Sequence, residues 1–221
     1  MNLSANTISV LKNFADINEN ILFKPGKTLK TVSNSRTVMA QADIQEEMPQ
    51  EFGIYNLNEL LRAFDLYQKY DINFNGGQSM TIKDANSKSA IKYFFSDKSV
   101  LSTIEKSIEL PDKYVTFSLK KDDFANLMRA SVQLNLPDII VEGDGSKVVI
   151  KTLDRKSSTS NVYDIEIGST DKTFKAMFKK ENFKMIPGDY DIAISKAKIS
   201  HFINRSANIQ YWIAIEPDSE F

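Results

Sequence analysis

The chain has 221 residues, no cysteine, 42% hydrophobic and 26% charged residues, and a formal net charge of −1 from 28 basic and 29 acidic side chains. That length suits one large domain or two of about 110 residues. The absence of cysteine excludes disulfides and thiolate metal sites, the even charge argues against gripping nucleic acid by bulk charge, and no apolar run reaches the roughly 18 residues of a membrane span.

Ser4 is a candidate N-cap for a first helix ending near Asn18, with Ile8, Leu11, Phe14 and Ala15 on its apolar side. Residues 21–23 and 29–32 read as strands hinged at Pro25-Gly26, and 38–44 alternate as a half-buried strand. Residues 45–50 read as an acidic loop and 52–55 as a further strand. A second helix starts at Asn56, with Leu57, Leu60, Leu61 and Phe64 on one face, and strands at 71–74, 79–83 and 91–95 follow in hairpin order. Residues 99–113 read as an extended connector between a first domain, 1–98, and a second, 114–221.

The order then recurs. A strand at 114–119 precedes a helix at 120–134 that sets Phe124, Leu127, Ser131 and Leu134 on one stripe. Strands at 139–142 and 147–153 flank the turn Gly143-Asp144-Gly145, a polar loop covers 156–161, and strands are expected at 162–167 and 174–178. A short helix at 179–185 stops at Pro187-Gly188, before closing strands at 190–194, 199–202 and 211–215. At one common offset Ile8 and Leu11 fall on Phe124 and Leu127, and residues 70–74 resemble 190–194. An α+β chain of two tandem similar domains is expected, each with two helices packed on antiparallel sheets.

Basic side chains gather about the helices: Lys12, Arg62, Lys69, Lys120, Lys121, Arg129, Lys180 and Lys184. Arg62 and Arg129 lie opposite the apolar stripes of their helices, and the acidic runs 45–47 and 216–220 lie elsewhere in the chain. On charge alone, solvated helix faces explain this distribution.

Catalytic chemistry finds little support. His201, the one histidine, sits among Ile199, Phe202 and Ile203 and reads as a packed residue. Gly26-Lys27 lacks the upstream glycine of a nucleotide-binding loop. Asp122-Asp123 suit the first turn of a helix, and Asp189 with Asp191 make a poor two-metal site. No enzyme, cofactor or metal centre is expected. The start of the chain lacks the basic-then-apolar pattern of a signal peptide, so a cytoplasmic protein is expected.

Certain stretches carry a family likeness: Leu3-Ser4, Leu11-Lys12-Asn13-Phe14-Ala15 with Ile17-Asn18, and Ile54-Tyr55-Asn56-Leu57-Asn58. Lys184-Met185, Pro187-Gly188-Asp189-Tyr190 and Ala214-Ile215-Glu216-Pro217-Asp218-Ser219 with the final Phe221 continue it. On these residues the chain resembles the sliding clamps, or DNA polymerase processivity factors, of T-even-type bacteriophages. The resemblance implies a homotrimeric ring of six pseudo-equivalent domains that encircles duplex DNA without reading sequence, in the cytoplasm of an infected bacterial host. It implies a hole lined by Lys12, Arg62, Lys69, Lys120, Lys121, Arg129, Lys179, Lys180 and Lys184. It also implies an apolar pocket near the connector and C-terminus, with Ile108, Leu110, Pro111, Ile215 and Pro217 as candidates. That pocket would take a peptide from the replicative polymerase, an ATP-driven clamp loader or a late-transcription factor. The rival expectation is a virion or assembly protein whose duplicated β-rich halves enclose no DNA.

Overall fold

Ser4 opens α1 (Ala5–Ile17), its hydroxyl accepting from the backbone N–H of Thr7 as an N-cap does. Val10, Leu11, Phe14, Ala15 and Ile17 are buried along the helix, which ends where the Asn18 N–H donates to the Phe14 carbonyl at 2.8 Å. The structure is a computed structural model and describes residues 1–104 and 108–221. The chain divides into two compact units, 1–106 and 107–221. Positions 105–107 of the expected connector lie outside the described residues.

In the first unit α1 is followed by β1 (Ile21–Phe23), β2 (Gly26–Val32), β3 (Val38–Met48), β4 (Phe52–Ile54), α2 (Leu57–Asp65), β5 (Tyr70–Phe74), β6 (Ser79–Asp84) and β7 (Ala90–Phe94). β1 pairs with β4, β2 with β3, and β5, β6 and β7 form a three-stranded sheet, all antiparallel. Asn56 caps α2, its side chain accepting from the Glu59 N–H at 3.0 Å. Leu57, Leu60, Leu61 and Phe64 are buried beneath that helix, so its apolar stripe is used as the spacing predicts. Phe52 stacks on Phe23 with ring centroids 4.5 Å apart and on Phe95 at 4.7 Å. Gly53 beside it has no room for a side chain, because a Cβ would stand 2.7 Å from the Ser96 carbonyl oxygen.

The acidic stretch 45–50 is not simply a loop. β3 continues to Met48, and Glu46 turns its carboxylate onto the Ser4 N–H and the Thr7 hydroxyl at the start of α1. A negative charge is favoured at a helix N-terminus, where backbone N–H groups lack partners. The acidic run therefore meets the first helix instead of lying away from it.

The second unit contains β8 (Val115–Leu119), α3 (Lys121–Gln133), β9 (Asp138–Asp144), β10 (Lys147–Leu153), β11 (Tyr163–Ser169), β12 (Thr173–Lys179), β13 (Tyr190–Ser195), β14 (Ile199–Asn204) and β15 (Ile209–Ala214). Its strands pair antiparallel in the orders β11-β10-β9-β12 and β8-β13-β14-β15. Gly145, at φ +86°, makes the tight turn between β9 and β10. Phe124 of α3 meets Tyr190 edge-on at 6.0 Å, and Phe183 packs edge-on against Phe178 at 5.4 Å and Phe202 at 5.7 Å.

The helix expected at 179–185 is a single 3-10 turn, Lys180–Asn182. β12 holds Lys179 in register opposite Asp138, and the Lys180 N–H donates to the Pro137 carbonyl at 2.9 Å. Few residues then remain before Pro187, too few to repay helix nucleation. The turn drops Phe183 into the aromatic core instead.

Element by element the units repeat. α1 answers to α3, β1–β4 to β9–β12, α2 to the 3-10 turn, and β5–β7 to β13–β15. The place that β8 takes beside β13 is taken beside β5 by Met1, which exchanges backbone hydrogen bonds of 2.8 and 2.9 Å with Ile72. β7 ends the first unit's three-stranded sheet, and β11 ends the second unit's four-stranded one.

Candidate nucleic-acid interface

The helices bury their apolar stripes, save Leu134, which follows the last turn of α3 and is exposed, and leave cations outside. Lys12 on α1, Arg62 on α2, Lys69 just before β5, and Lys120, Lys121 and Arg129 at or on α3 are all exposed. In the first unit each helical cation has acidic company at helical spacing: Asp16 follows Lys12, and Glu59 and Asp65 bracket Arg62. Arg129 has none, since Ala125, Asn126, Val132 and Gln133 occupy the positions one turn away. Lys184 is exposed and Lys180 half-buried.

Lys120, the residue before α3, offers no side-chain cap. Asp189, in the loop before β13, supplies one across the fold by accepting from the Lys121 N–H at 2.7 Å. Asp191 accepts from Arg205 Nε at 2.9 Å and the Ser118 hydroxyl at 3.2 Å. The two aspartates weighed as a metal pair thus have separate structural partners. His201 stacks on Trp212 with centroids 4.5 Å apart, and burial pushes its imidazole below the ordinary value.

Lys179 differs from the other expected cations. Its ammonium is 3.1 Å from Asp138 Oδ1 and 3.9 Å from Glu216, so its charge is used inside the second unit. Arg155 joins the same cluster, with Nε 3.2 Å from Asp138, Nη2 3.6 Å from Glu216 and Nη1 2.7 Å from Asp218. Burial pushes the Asp138 carboxyl up, but the Arg155 N–H, the Lys179 hydrogen bond and the two positive charges outweigh it and hold that carboxyl below its usual range.

Of the expected pocket residues, Ile215 is buried, Ile108 and Leu110 are half-buried, and Pro111 and Pro217 are exposed. The β13–β14 turn touches both stretches that hold them. Asp112 accepts from the Ser195 hydroxyl at 2.8 Å, while the Lys198 ammonium donates to the Pro217 and Ser219 carbonyls. Lys196 lies over the Tyr114 ring at 4.3 Å, and Phe221 meets that ring edge-on at 5.8 Å. Sequence reasoning missed Tyr114, Ser195, Lys196 and Lys198, because only the fold brings this turn to the two stretches. A separate groove of about 640 Å³ lies between α2 and β7, lined by Tyr55, Arg62, Leu66, Tyr93 and Phe94 among others. Burial, with Glu59 nearby, pushes the Tyr93 phenol up to about 12.

Two family models account for most of the chain: residues 4–101 match "DNA polymerase processivity factor" and residues 116–217 match "gp45 sliding clamp, C terminal". The chain belongs to the sliding-clamp family. Sliding-clamp and processivity-factor function comes with that membership. The sliding clamps of Vibrio phage KVP40 and Enterobacteria phage T4 are each 30% identical to it. The alignments cover 98% of this chain and 99% of the KVP40 protein, and 99% of this chain and 98% of the T4 protein. A solved structure of A. fulgidus PCNA bound to the C-terminal region of FEN-1 is similar in fold, with a TM-score of 0.70 at 13% identity over 99% of this chain and 98% of that one. Among the described residues, no helix is long and apolar enough to cross a membrane.

Proposed function

We propose that three copies of this clamp close head to tail into a ring around duplex DNA and tether the replicative polymerase there, with no catalytic step or cofactor of their own. The observation that carries this reading is the pair of terminal strands left by the duplication. β7 ends a sheet in the first unit and β11 ends one in the second, and these strands are not equivalents of each other in the repeat. Two unlike edges that complement one another make a heterologous contact, which gives a ring when its rotation closes. Pairing would also cover edges that otherwise invite aggregation.

Apolar side chains flank both edges. Leu66 and Phe94 are 70% and 65% exposed near and on the first, and Val162 and Val132 are 53% and 67% exposed beside and near the second. Exposed groups of this size beside a free edge suit a partner surface. Lys12, Arg62, Lys69, Lys120, Lys121, Arg129, Lys180 and Lys184 are assigned to the hole, and Lys179 is left to its ion pairs. Enclosure supplies retention, so the cations need only attract and centre the duplex. Phosphate contacts carry no sequence information, as a moving tether requires.

The surface around Ile108, Leu110, Pro111, Ile215 and Pro217 is assigned to peptides of the polymerase, an ATP-driven loader and late-transcription factors, in the cytoplasm of an infected bacterium. Native mass spectrometry tests the assembly. A species of three times the 25.1 kDa chain mass is expected, and a monomer at every concentration contradicts it.

A further inference from the structure

We propose that the last six residues, 216–221, are an internal stand-in for an extended acidic peptide of a partner protein, seated on the outer edge of β12. In the β11-β10-β9-β12 sheet, β12 would otherwise expose that edge. The C-terminal segment covers it incompletely. Lys175 and Glu220 exchange two backbone hydrogen bonds of 2.9 Å, and the Glu216 N–H donates to the Met177 carbonyl at 2.8 Å. Between these points the segment turns away, its Ser219 N–H bonding back to the Glu216 carbonyl at 3.1 Å, so the Met177 N–H must use the Ser219 hydroxyl. A continuous strand would give Met177 a backbone partner, as strand addition does elsewhere.

Charge sets the chemistry of the occupant. Arg155 and Lys179 share one carboxylate of the second unit's body, Asp138, whose side chain is 3% exposed. Arg155 Nε has only a charge contact there, without a hydrogen bond. Without the segment the two cations share that single carboxylate, and Glu216 and Asp218 of the segment bring two more to them. Lys198 adds donors to the Pro217 and Ser219 carbonyls, and Phe221 ends the segment against Tyr114. The occupant this edge selects is extended, carries two or three carboxylates and sets an aromatic ring against Tyr114. The segment meets those terms from the surface, with Pro217, Asp218 and Glu220 exposed. It is an occupant that a longer strand of the same chemistry can displace.

This inference rests on the assignment of residues 215–217 to a partner surface, but its test needs neither DNA nor the ring. The probe is a fluorescein-labelled hexapeptide of sequence Glu-Pro-Asp-Ser-Glu-Phe. It is titrated into the full-length parent and into the full-length variant Glu216→Gln, Asp218→Asn, Phe221→Ala, whose changed positions all lie outside the strands and helices. The variant should bind the probe at least tenfold more tightly than the parent. Adding Arg155→Gln should remove that gain, as should a probe with its acids changed to amides. By hydrogen exchange, the Lys175 and Met177 amides should lose protection in the variant and regain it with the probe. Phe221→Ala alone should give a smaller gain in the same direction. Equal affinity for parent and variant, affinity indifferent to the acids of the probe, or unchanged protection at Lys175 and Met177 in the variant overturns the proposal.

Discussion

Asp189 and Lys121 are joined by a 2.7 Å hydrogen bond from backbone N–H to carboxylate, so the helix carrying Arg129 is capped from a loop 68 positions further along the chain. Asp189→Ala should lower stability to urea by about 1 kcal/mol, the usual cost of a missing cap. Asp189→Ser should restore part of that stability if the hydroxyl still reaches. An unchanged unfolding midpoint in Asp189→Ala would show that the carboxylate does no capping.

Glu46 gives the fold a dependence on acid. Burial pushes its carboxyl up, but bonds from Thr7 and Ser4 prevail and hold it below the ordinary 4.5. The unfolded chain therefore takes up the proton first. This contribution is complete above about pH 4.5 and fades as pH falls through the lower, folded value. Asp138 acts in the same direction from 3.8. Thermal unfolding of Glu46→Gln should show a shallower fall in midpoint below pH 4.5 than the parent, with a lower midpoint at neutral pH.

The helical cations should not count equally toward DNA. Lys12 and Arg62 have carboxylates one turn away, whereas Arg129 has none. Every cation–phosphate pairing that a substitution abolishes should reduce the slope of log affinity against log salt by about 0.9. Lys121→Gln with Arg129→Gln should therefore flatten the salt dependence of DNA retention more than Lys12→Gln with Arg62→Gln. Equal slopes in the two double variants would reject this ranking.

The two free edges can be tested one at a time. Phe94→Asp on β7 and Val162→Asp beside β11 each place a charge where a second copy is assigned to pack. Each should convert the assembly to monomer by analytical ultracentrifugation while leaving the circular dichroism spectrum unaltered. Persistence of the assembly in both would move the interface elsewhere.

Local signals carry much of this architecture. Ser4 and Asn56 cap where their positions suggest, Leu57 to Phe64 bury the stripe their spacing predicts, and the 71–74, 79–83 and 91–95 run folds into one sheet. What escapes sequence reasoning depends on partners distant in the chain. Glu46 looks like part of an acidic loop until α1 is beside it. The stretch 179–185 has the polarity of a helix, but its strand register with Asp138 and the nearby Pro187 leave it one turn. Lys179 counts as a helix cation by position, yet it is committed to Asp138. Arg155, next to a loop that reads as plain solvent-facing chain, joins three carboxylates that no spacing rule connects.

Topological linkage to DNA tests the central claim most directly. The protein is loaded onto a closed circular duplex, the complex is isolated in high salt, and the circle is then cut once. Enclosure predicts that protein stays with the intact circle despite the salt and departs within minutes of linearisation. Release from the uncut circle in high salt, or retention on the cut linear form, would contradict it.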